Sequence, residues 1–266
     1  MFSEETNFVA RIGESDFADR LLCLALDVGE GMLKSGGEIN RVEDTVTRIC
    51  RSYGAEHIEI FAIPSVMIAA IRMKDGAYSS QIRRIDSIEN HLYRLELYNG
   101  ISRKVCRTTP PLEEVDAMIH EAKRAKTYPE WLRILAAGIT AGVLAIFFGG
   151  DGWDGIVAGI IGAIIFTVDL LPSAQVNRLA KTGVQSFLGG LLASIALRLG
   201  IGHDSEAIMI GTIMVLIPGL SFGTAFRDLL CGDFLAGSLK TVQCILAALM
   251  IAGGYLLAMF FVGGVA

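Results

Sequence analysis

The sequence predicts an α+β N-terminal domain followed by an all-α membrane domain of about five transmembrane helices. The first observation is charge, because 38 of the 130 residues before Trp131 are charged, against 13 of the 136 from there on. The second is hydropathy, because the later part divides into five apolar runs that approach the roughly 20 residues needed to cross a bilayer. We therefore expect the α+β domain at residues 1–128 and the membrane domain at residues 129–266.

Seven elements are predicted in the N-terminal domain. Apolar residues at helical spacing indicate two helices, and Gly36-Gly37 separates them because glycine readily adopts the left-handed conformation that ends a helix. Alternating and β-rich segments indicate three strands, with Asp75-Gly76 as a tight hairpin turn, and Thr109-Pro110-Pro111 indicates the start of the last helix. The elements, in order, are helices at 17–32 and 39–53, strands at 57–60, 65–73 and 78–85, and helices at 87–97 and 109–126. Asn99-Gly100 offers a stop after the helix at 87–97, although the helix could resume through Val105.

Five apolar runs predict the membrane spans, and Trp131 is suited to the interfacial aromatic belt. Runs two to four are close to the lower length limit, so they either form broken or re-entrant helices or extend by another turn at their ends. Glycine pairs at 138/142, 155/159 and 219/223 fit the small-xxx-small pattern of close helix packing. The runs are residues 131–148, 155–171, 183–199, 207–222 and 242–262.

Basic residues predict the orientation of these spans. Lysine and arginine flank the first run on its N-terminal side and occur in the loops after the second and fourth runs, whereas the opposite loops are mainly acidic. Since basic loops tend to stay in the cytoplasm, we expect a multi-pass protein of the cell inner (plasma) membrane. Its N-terminal domain is expected in the cytoplasm and its C-terminus outside.

The first candidate site follows the fourth run, where Pro218-Gly219 precedes Arg227, Asp228 and Asp233. Proline deprives nearby carbonyl groups of a donor, and in a membrane such groups must be satisfied by protein, water or cargo. A guanidinium at Arg227 could then meet a carboxylate-bearing substrate. The alternative is that Pro218-Gly219 merely ends the span and the charges form a solvated loop, although the apolar residues at 226–239 favour an amphipathic or re-entrant segment.

The second candidate site lies in the second and third runs. Asp169 is near the end of the second run, and carboxylates within a membrane are costly and mostly functional. It could carry a proton or pair with a cargo amine, or it could lie at the membrane interface. Gln185 and Ser186 in the third run either face a pore or bond to a neighbouring helix.

Several classes of function are disfavoured. The N-terminal domain has nearly balanced charge and no basic stripe, which argues against nucleic acid as a partner. The five cysteines form no CxxC pair and the four histidines have no ligand spacing, so we expect neither a disulfide framework nor a bound metal. No nucleotide-binding loop or nucleophile–base pattern is present, so we expect no cofactor and no enzyme activity.

Two separated segments resemble the threonine/serine exporter (ThrE) family. They are Gly31–Glu43 (GMLKSGGEINRVE) and the tail containing Pro218-Gly219, Arg227-Asp228-Leu229 and Gly232-Asp233. Single-chain members of that family have about twice as many spans, so the chain resembles the long (YjjP-like) subunit of the split form. The resemblance implies export of threonine and serine, or of C4-dicarboxylates such as succinate. It also implies coupling to an ion gradient and a short five-span (YjjB-like) partner.

The sequence thus predicts a subunit of a secondary-active exporter in the lipid bilayer that works with the short partner and could also form a homo-oligomer. Proton coupling is expected, with Asp169 or Asp228 as the carrier. The alternative is a membrane-anchored sensor or assembly protein whose cytoplasmic domain binds a ligand. Residues expected to bind substrate or to couple transport are Asp169, Gln185, Ser186, Pro218, Gly219, Arg227, Asp228 and Asp233.

Overall fold

The computed structural model describes residues 2–125, 128–170 and 177–262, with side chains from Asp16 onward. The chain divides by packing into two compact units. The first unit is Met1–Lys126 with Leu220–Thr241, and the second is Thr127–Gly219 with Val242–Ala266. Because packing does not define depth in a bilayer, the membrane domain at residues 129–266 stays a prediction.

Over the described residues the fold is mostly helical with one small antiparallel sheet, in which β2 lies between β1 and β3. The order of two helices, three strands and two helices is confirmed for residues 2–124. The elements are α1 (Phe2–Lys34), α2 (Ile39–Ser52), β1 (Ala55–Ile63), β2 (Val66–Met73), β3 (Tyr78–Arg84), α3 (Leu92–Thr108), α4 (Leu112–Arg124), α5 (Glu130–Phe147), α6 (Gly152–Thr167), α7 (Arg178–Arg198), α8 (Ser205–Met214), α9 (Gly219–Leu230) and α10 (Phe234–Val262).

The first unit is organised around the end of α1. The Gly36 N–H donates to the carbonyl of Leu33 (3.0 Å), and the Gly37 N–H donates to that of Met32 (2.9 Å). With Gly36 at φ 88°, these two bonds form the Schellman motif that terminates helices. The chain then turns into α2, and the apolar faces of α1 and α2 cover the sheet. The largest fully buried side chains of this core are Leu21, Leu22, Leu26, Met32, Leu33, Ile39, Ile49, Met67, Ile71 and Ile119.

The predicted start of the helix at 87–97 is wrong, because α3 begins at Leu92, whereas the alternative that the helix continues through Val105 is confirmed, since α3 runs to Thr108. Asn99-Gly100 does not stop it, since the side-chain amide of Asn99 donates to the Leu95 carbonyl (2.8 Å) inside the helix. His91 fixes the start, where its Nδ1 accepts the Arg94 N–H (3.3 Å). The helix therefore continues through a pair typical of a turn, and the Asn99 side chain bonds back to the preceding turn of the helix.

The second unit is held together by glycine contacts between α5 and α6. A Cβ atom added to Gly142 would lie 2.5 Å from the carbonyl oxygen of Gly155, and one added to Gly138 would lie 2.8 Å from that of Gly159. Two of the three predicted glycine pairs therefore pack against each other, as close helix contacts in membranes require. The third pair does not: a Cβ at Gly219 or at position 223 would meet no described atom within 4 Å.

The predicted number of spans is not confirmed. Three described helices are long and apolar enough to cross a membrane, Glu130–Phe147, Gly152–Leu170 and Phe234–Val262. A fourth is reached only if α8 and α9 count as one broken span, so the described residues do not confirm five. Pro218 lies in the break between α8 and α9, where its missing N–H and its ring oppose a continuous helix.

The predicted end of the second run, Leu171, lies outside the described residues. Large apolar side chains on α5 and α10 face outward, as lipid-facing helices require. They include Ile139, Val143, Phe147, Leu249, Leu256 and Phe260.

We predict that Gly142→Ala lowers the stability of the second unit, whereas Gly253→Ala does not. The methyl group at position 142 would collide with the backbone of α6, and overpacking costs about 1–3 kcal/mol. A Cβ at Gly253, also in a helix, would meet nothing within 4 Å among the described atoms. Thermal unfolding of the detergent-solubilised protein measures both, and equal unfolding temperatures would contradict the glycine contact.

Candidate functional site

The two segments that carry the family resemblance come together in the first unit. The backbone N–H of Ile39, at the start of α2, donates to Oδ1 of Asp228 on α9 (3.4 Å). Oδ2 of Asp228 accepts from Nζ of Lys240 on α10 (2.6 Å). The side chains of Asp228 and Lys240 are only 1% and 8% exposed. A buried carboxylate thus lies between an ammonium group and the N-terminus of a helix.

The turn after α1 explains why the start of α2 can receive this carboxylate. Glu38 is the N-cap residue in an extended conformation (φ −74°, ψ 141°), but its side chain does not cap the helix. The first N–H groups of a helix lack internal partners and attract negative charge. Asp228 fills that role, while the carboxylate of Glu38 pairs with the guanidinium of Arg227.

Asp233 and Glu43 complete what we call the charge cluster, defined as Glu38, Glu43, Arg227, Asp228, Asp233 and Lys240. Oδ2 of Asp233 is buried and has no hydrogen-bond partner among the described residues. Burial and the nearby charge of Asp228 raise the pKa of Asp233, although Lys240 opposes this effect. Burial also raises the pKa of Glu43, although its Oε1 accepts the Ala62 N–H (2.7 Å). The cluster therefore holds one ion-paired buried carboxylate and two carboxyl groups that take up protons more readily than usual.

Asp169 lies in the second unit, in a short 3-10 turn after α6. Nζ of Lys181 is 3.6 Å from Oδ1 of Asp169 and donates to its backbone carbonyl (2.5 Å). Arg133 is at 4.0 Å from the other carboxylate oxygen. The structure therefore brings the predicted acid together with two basic residues.

Gln185 and Ser186 are buried on α7 and bond to neighbouring helices. Nε2 of Gln185 donates to the carbonyl of Ile165 on α6 (3.2 Å), and Oγ of Ser186 donates to the carbonyl of Ile251 on α10. These contacts match the packing alternative stated for the two residues. Their part in binding a substrate stays a prediction, as does that of Pro218 and Gly219 at the break between α8 and α9.

A third cluster, formed by Asp151, Asp154 and His203, was not predicted. Its ligand atoms lie within 4.8 Å of one another, so these side chains could hold a metal ion. However, Asp154 already accepts backbone N–H groups of His203 (2.7 Å) and Asp151 (3.1 Å), and Asp151 caps α6. Hydrogen bonds lower the pKa of Asp151, chiefly one from the Asp154 N–H and also one from His203. The arrangement fits a capping box that fastens the loop at His203.

Sequence reasoning placed Glu38 and Glu43 in a charged cluster just after the Gly-Gly turn, with a solvated helix face as the main interpretation, but it gave Lys240 no part in a site and did not pair Glu38 with Arg227. Positions 38 and 227 are 189 residues apart, and no periodicity links residues so distant. One signal was present, since Glu38 belongs to the first resembling segment and Arg227-Asp228 to the second. When two separated motifs are both typical of one family, they are candidates for contacting each other in the folded protein.

We predict that Asp228→Asn destabilises the protein strongly because it removes the ion-pair partner of the buried Lys240. Breaking a buried ion pair in this way costs about 3–5 kcal/mol. The control is Glu114→Gln, which breaks the half-exposed Lys104–Glu114 pair (2.8 Å) and should cost at most about 1 kcal/mol. The double variant Asp228→Asn, Lys240→Met should recover part of the loss in thermal unfolding. If Asp228→Asn and Glu114→Gln unfold at the same temperature, Asp228 does not anchor the unit.

We also predict that Asp233 contributes a pH dependence to stability. Because its pKa is raised in the folded protein, the folded state binds this proton more readily than the unfolded chain does. Stability from this group is therefore lost as the pH rises from about 4, the ordinary Asp pKa, through the raised value. Asp233→Asn should raise the unfolding temperature at neutral pH and flatten its pH profile, whereas Asp86→Asn, at an exposed position, should change neither. An unaltered profile for Asp233→Asn would refute the assignment.

Comparison with known proteins places the chain in a family. The family described as "Putative threonine/serine exporter" (ThrE) matches residues 23–262. The chain is 23% identical over 231 residues to the "Probable succinate transporter subunit YjjP" of Klebsiella aerogenes, covering 86% of this chain and 88% of that protein. It is 21% identical over 256 residues to the protein of the same name from Escherichia coli, covering 89% and 92%.

A further relative is the "Threonine/serine exporter" of Corynebacterium glutamicum, which is 21% identical over 234 residues, covering 84% of this chain but only 47% of that protein. The chain thus spans about half the length of this exporter and most of the length of the YjjP proteins. No solved structure matches the chain. Since the family match extends over most of the sequence, the chain belongs to the threonine/serine exporter family of membrane transporters.

Proposed function

We propose that this chain is one subunit of a secondary-active exporter for small hydrophilic metabolites, either threonine and serine or a C4-dicarboxylate such as succinate. The supporting observation is the share of each relative's length that the chain covers. The chain matches 88% of a protein named as a transporter subunit but only 47% of a threonine/serine exporter. A second subunit would supply the missing half, and a short five-span (YjjB-like) protein is the proposed partner.

The exporter is proposed to lie in the cell inner membrane, with the first unit facing the cytoplasm and the C-terminus outside. The three to four apolar helices found among the described residues and the distribution of basic residues support this placement. Proton coupling is supported by the charge cluster. Within it Asp233 is the strongest candidate for carrying the proton, because it combines a raised pKa with a buried oxygen that lacks a partner among the described residues. Asp169 and Asp228 remain the candidates proposed from sequence.

Arg227 is the proposed contact for a carboxylate of the cargo. Its side chain is 63% exposed while it pairs with Glu38, so a carboxylate can approach the guanidinium from solvent. A cargo carboxylate would replace Glu38 as the partner of Arg227, and the freed Glu38 could receive the ammonium group of an amino acid. A dicarboxylate would need a second cationic group instead.

Efflux from cells preloaded with labelled serine, threonine or succinate tests the proposal. The chain is expressed alone and together with a five-span partner encoded nearby. Efflux of one cargo only in the presence of the partner supports the split exporter and identifies its cargo. If neither condition gives efflux although both proteins are in the membrane, the sensor or assembly alternative replaces it.

Arg227→Gln should reduce efflux while the amount of protein in the membrane stays constant, because a neutral amide binds a carboxylate less strongly than a guanidinium does. Loss of a charge-assisted hydrogen bond corresponds to roughly a tenfold or larger effect. The matched control is Arg103→Gln, at an exposed position of α3. Equal efflux in the two variants would rule out Arg227 as the cargo contact.

A further inference from the structure

A cavity of about 340 Å³ lies entirely within the first unit, apart from the charge cluster. Its size falls in the range of ligand pockets, roughly 300–1,000 Å³. Six of its lining residues carry charge, namely Asp27, Glu30, Lys34, Glu89, Arg94 and Lys123. None of them belongs to the site described above.

The walls of the cavity are fixed by the backbone. The N–H of Glu89 donates to the carbonyl of Lys34 (2.8 Å), and the N–H of His91 donates to that of Ser35 (3.1 Å). On the opposite side Tyr98 packs so closely on α1 that a Cβ at Gly31 would lie 2.1 Å from its ring. The cavity is therefore bounded by the end of α1, the segment before α3 and the first turns of α3.

Most charges in the cavity are already paired. Asp27 lies 3.0 Å from Nζ of Lys123 and 3.5 Å from Nη2 of Arg83, and Glu30 lies 2.6 Å from Nζ of Lys34. These pairs neutralise four of the six charged lining residues. They leave two lining residues of opposite charge to be accounted for, Arg94 and Glu89.

Arg94 carries a guanidinium with almost no partners. Its Nη2 makes one long hydrogen bond to the Ala125 carbonyl (3.4 Å), and its Nε is buried with no partner among the residues that the structure describes. No described carboxylate lies within ion-pair distance of it. Arg94 also occupies the first turn of α3, where the helix dipole attracts negative charge. The position suits an incoming carboxylate.

Glu89 presents the complementary charge. It is exposed, lines the same cavity and forms no ion pair within the described ranges, not even with Arg94. An arginine and a glutamate that line one cavity without pairing can each bind the opposite charge of a ligand. A free α-amino acid carries a carboxylate and an ammonium group on one carbon and offers a partner to each of them.

We infer that this cavity is a binding site for a free zwitterionic amino acid, with the ligand carboxylate on Arg94 and its ammonium group on Glu89. The site lies in the first unit and is separate from the residues proposed to contact cargo. The inference goes beyond the proposed function and does not depend on it, because the site would bind its ligand whether or not the chain transports anything.

Hydrogen–deuterium exchange of the whole detergent-solubilised chain tests the site, because it reports binding at the cavity itself. L-serine, L-threonine and L-glutamine are the probes, and succinate and ethanolamine each supply only one of the two charges. We expect at least one amino acid to slow exchange in peptides covering residues 27–35 and 87–98, and succinate and ethanolamine to have little effect. Absence of protection by all three amino acids, or equal protection by succinate, would overturn the inference.

Variants locate the two contacts. For Arg94→Gln and for Glu89→Gln, the ligand concentration that gives half of the full protection should rise at least about tenfold, because each variant loses one charge-assisted hydrogen bond. Arg103→Gln and Glu96→Gln, at exposed positions of α3 that do not line the cavity, are the matched controls and should bind normally. If the variants and the original chain exchange hydrogen at the same rates in the absence of ligand, the variants are folded. Protection that persists in Arg94→Gln would overturn the site.

Discussion

The buried carboxylate of Asp228 is the interaction that fastens α9 to the start of α2 within the first unit. An isolated charge at that depth would cost several kcal/mol to remove from water. The ammonium group of Lys240 and the N-terminus of α2 offset this cost together, and they lie on different elements from Asp228. Since α9 and α10 follow α2 by more than 160 residues of sequence, this one contact ties the end of the chain to its beginning.

The charge cluster contains two kinds of carboxylate, and the difference follows from their partners. Asp228 has an ammonium group and a backbone donor, so its ionised form is compensated. Asp233 is bonded through its backbone N–H to the Asp228 carbonyl (2.9 Å), but its buried oxygen has no such compensation among the described residues. The first geometry is suited to holding structure and the second to exchanging a proton.

The segment Gly31–Glu43 connects this cluster with the cavity in the same unit. Its beginning lines the cavity, where Gly31 makes room for Tyr98. Its middle forms the Schellman turn at Gly36, and its end starts α2 and contributes Glu38 and Glu43 to the cluster. A ligand that orders the end of α1 would therefore act on the same turn that positions Glu38 against Arg227.

The sequence by itself determined the local architecture. Helical periodicity and the Asp-Gly turn predicted the order of seven elements, and the glycine pairs at 138/142 and 155/159 predicted a close helix contact. Motif resemblance pointed to the family. Local signals were weaker at element ends, because Asn99-Gly100 resembled a helix stop, whereas α3 continues through both residues to Thr108.

Only the tertiary structure decided which charges meet. Arg227, Asp228 and Asp233 were predicted as site residues, but their partners Glu38 and Lys240 were not. Arg94 and Glu89 carried no sequence signal at all. Sequence spacing reports neighbours along a helix or strand, whereas burial, pairing and pKa depend on groups brought together from distant segments. The site is therefore a property of the packed chain. A buried charge is stabilised only where packing brings an opposite charge or a hydrogen-bond donor from another segment within hydrogen-bond distance.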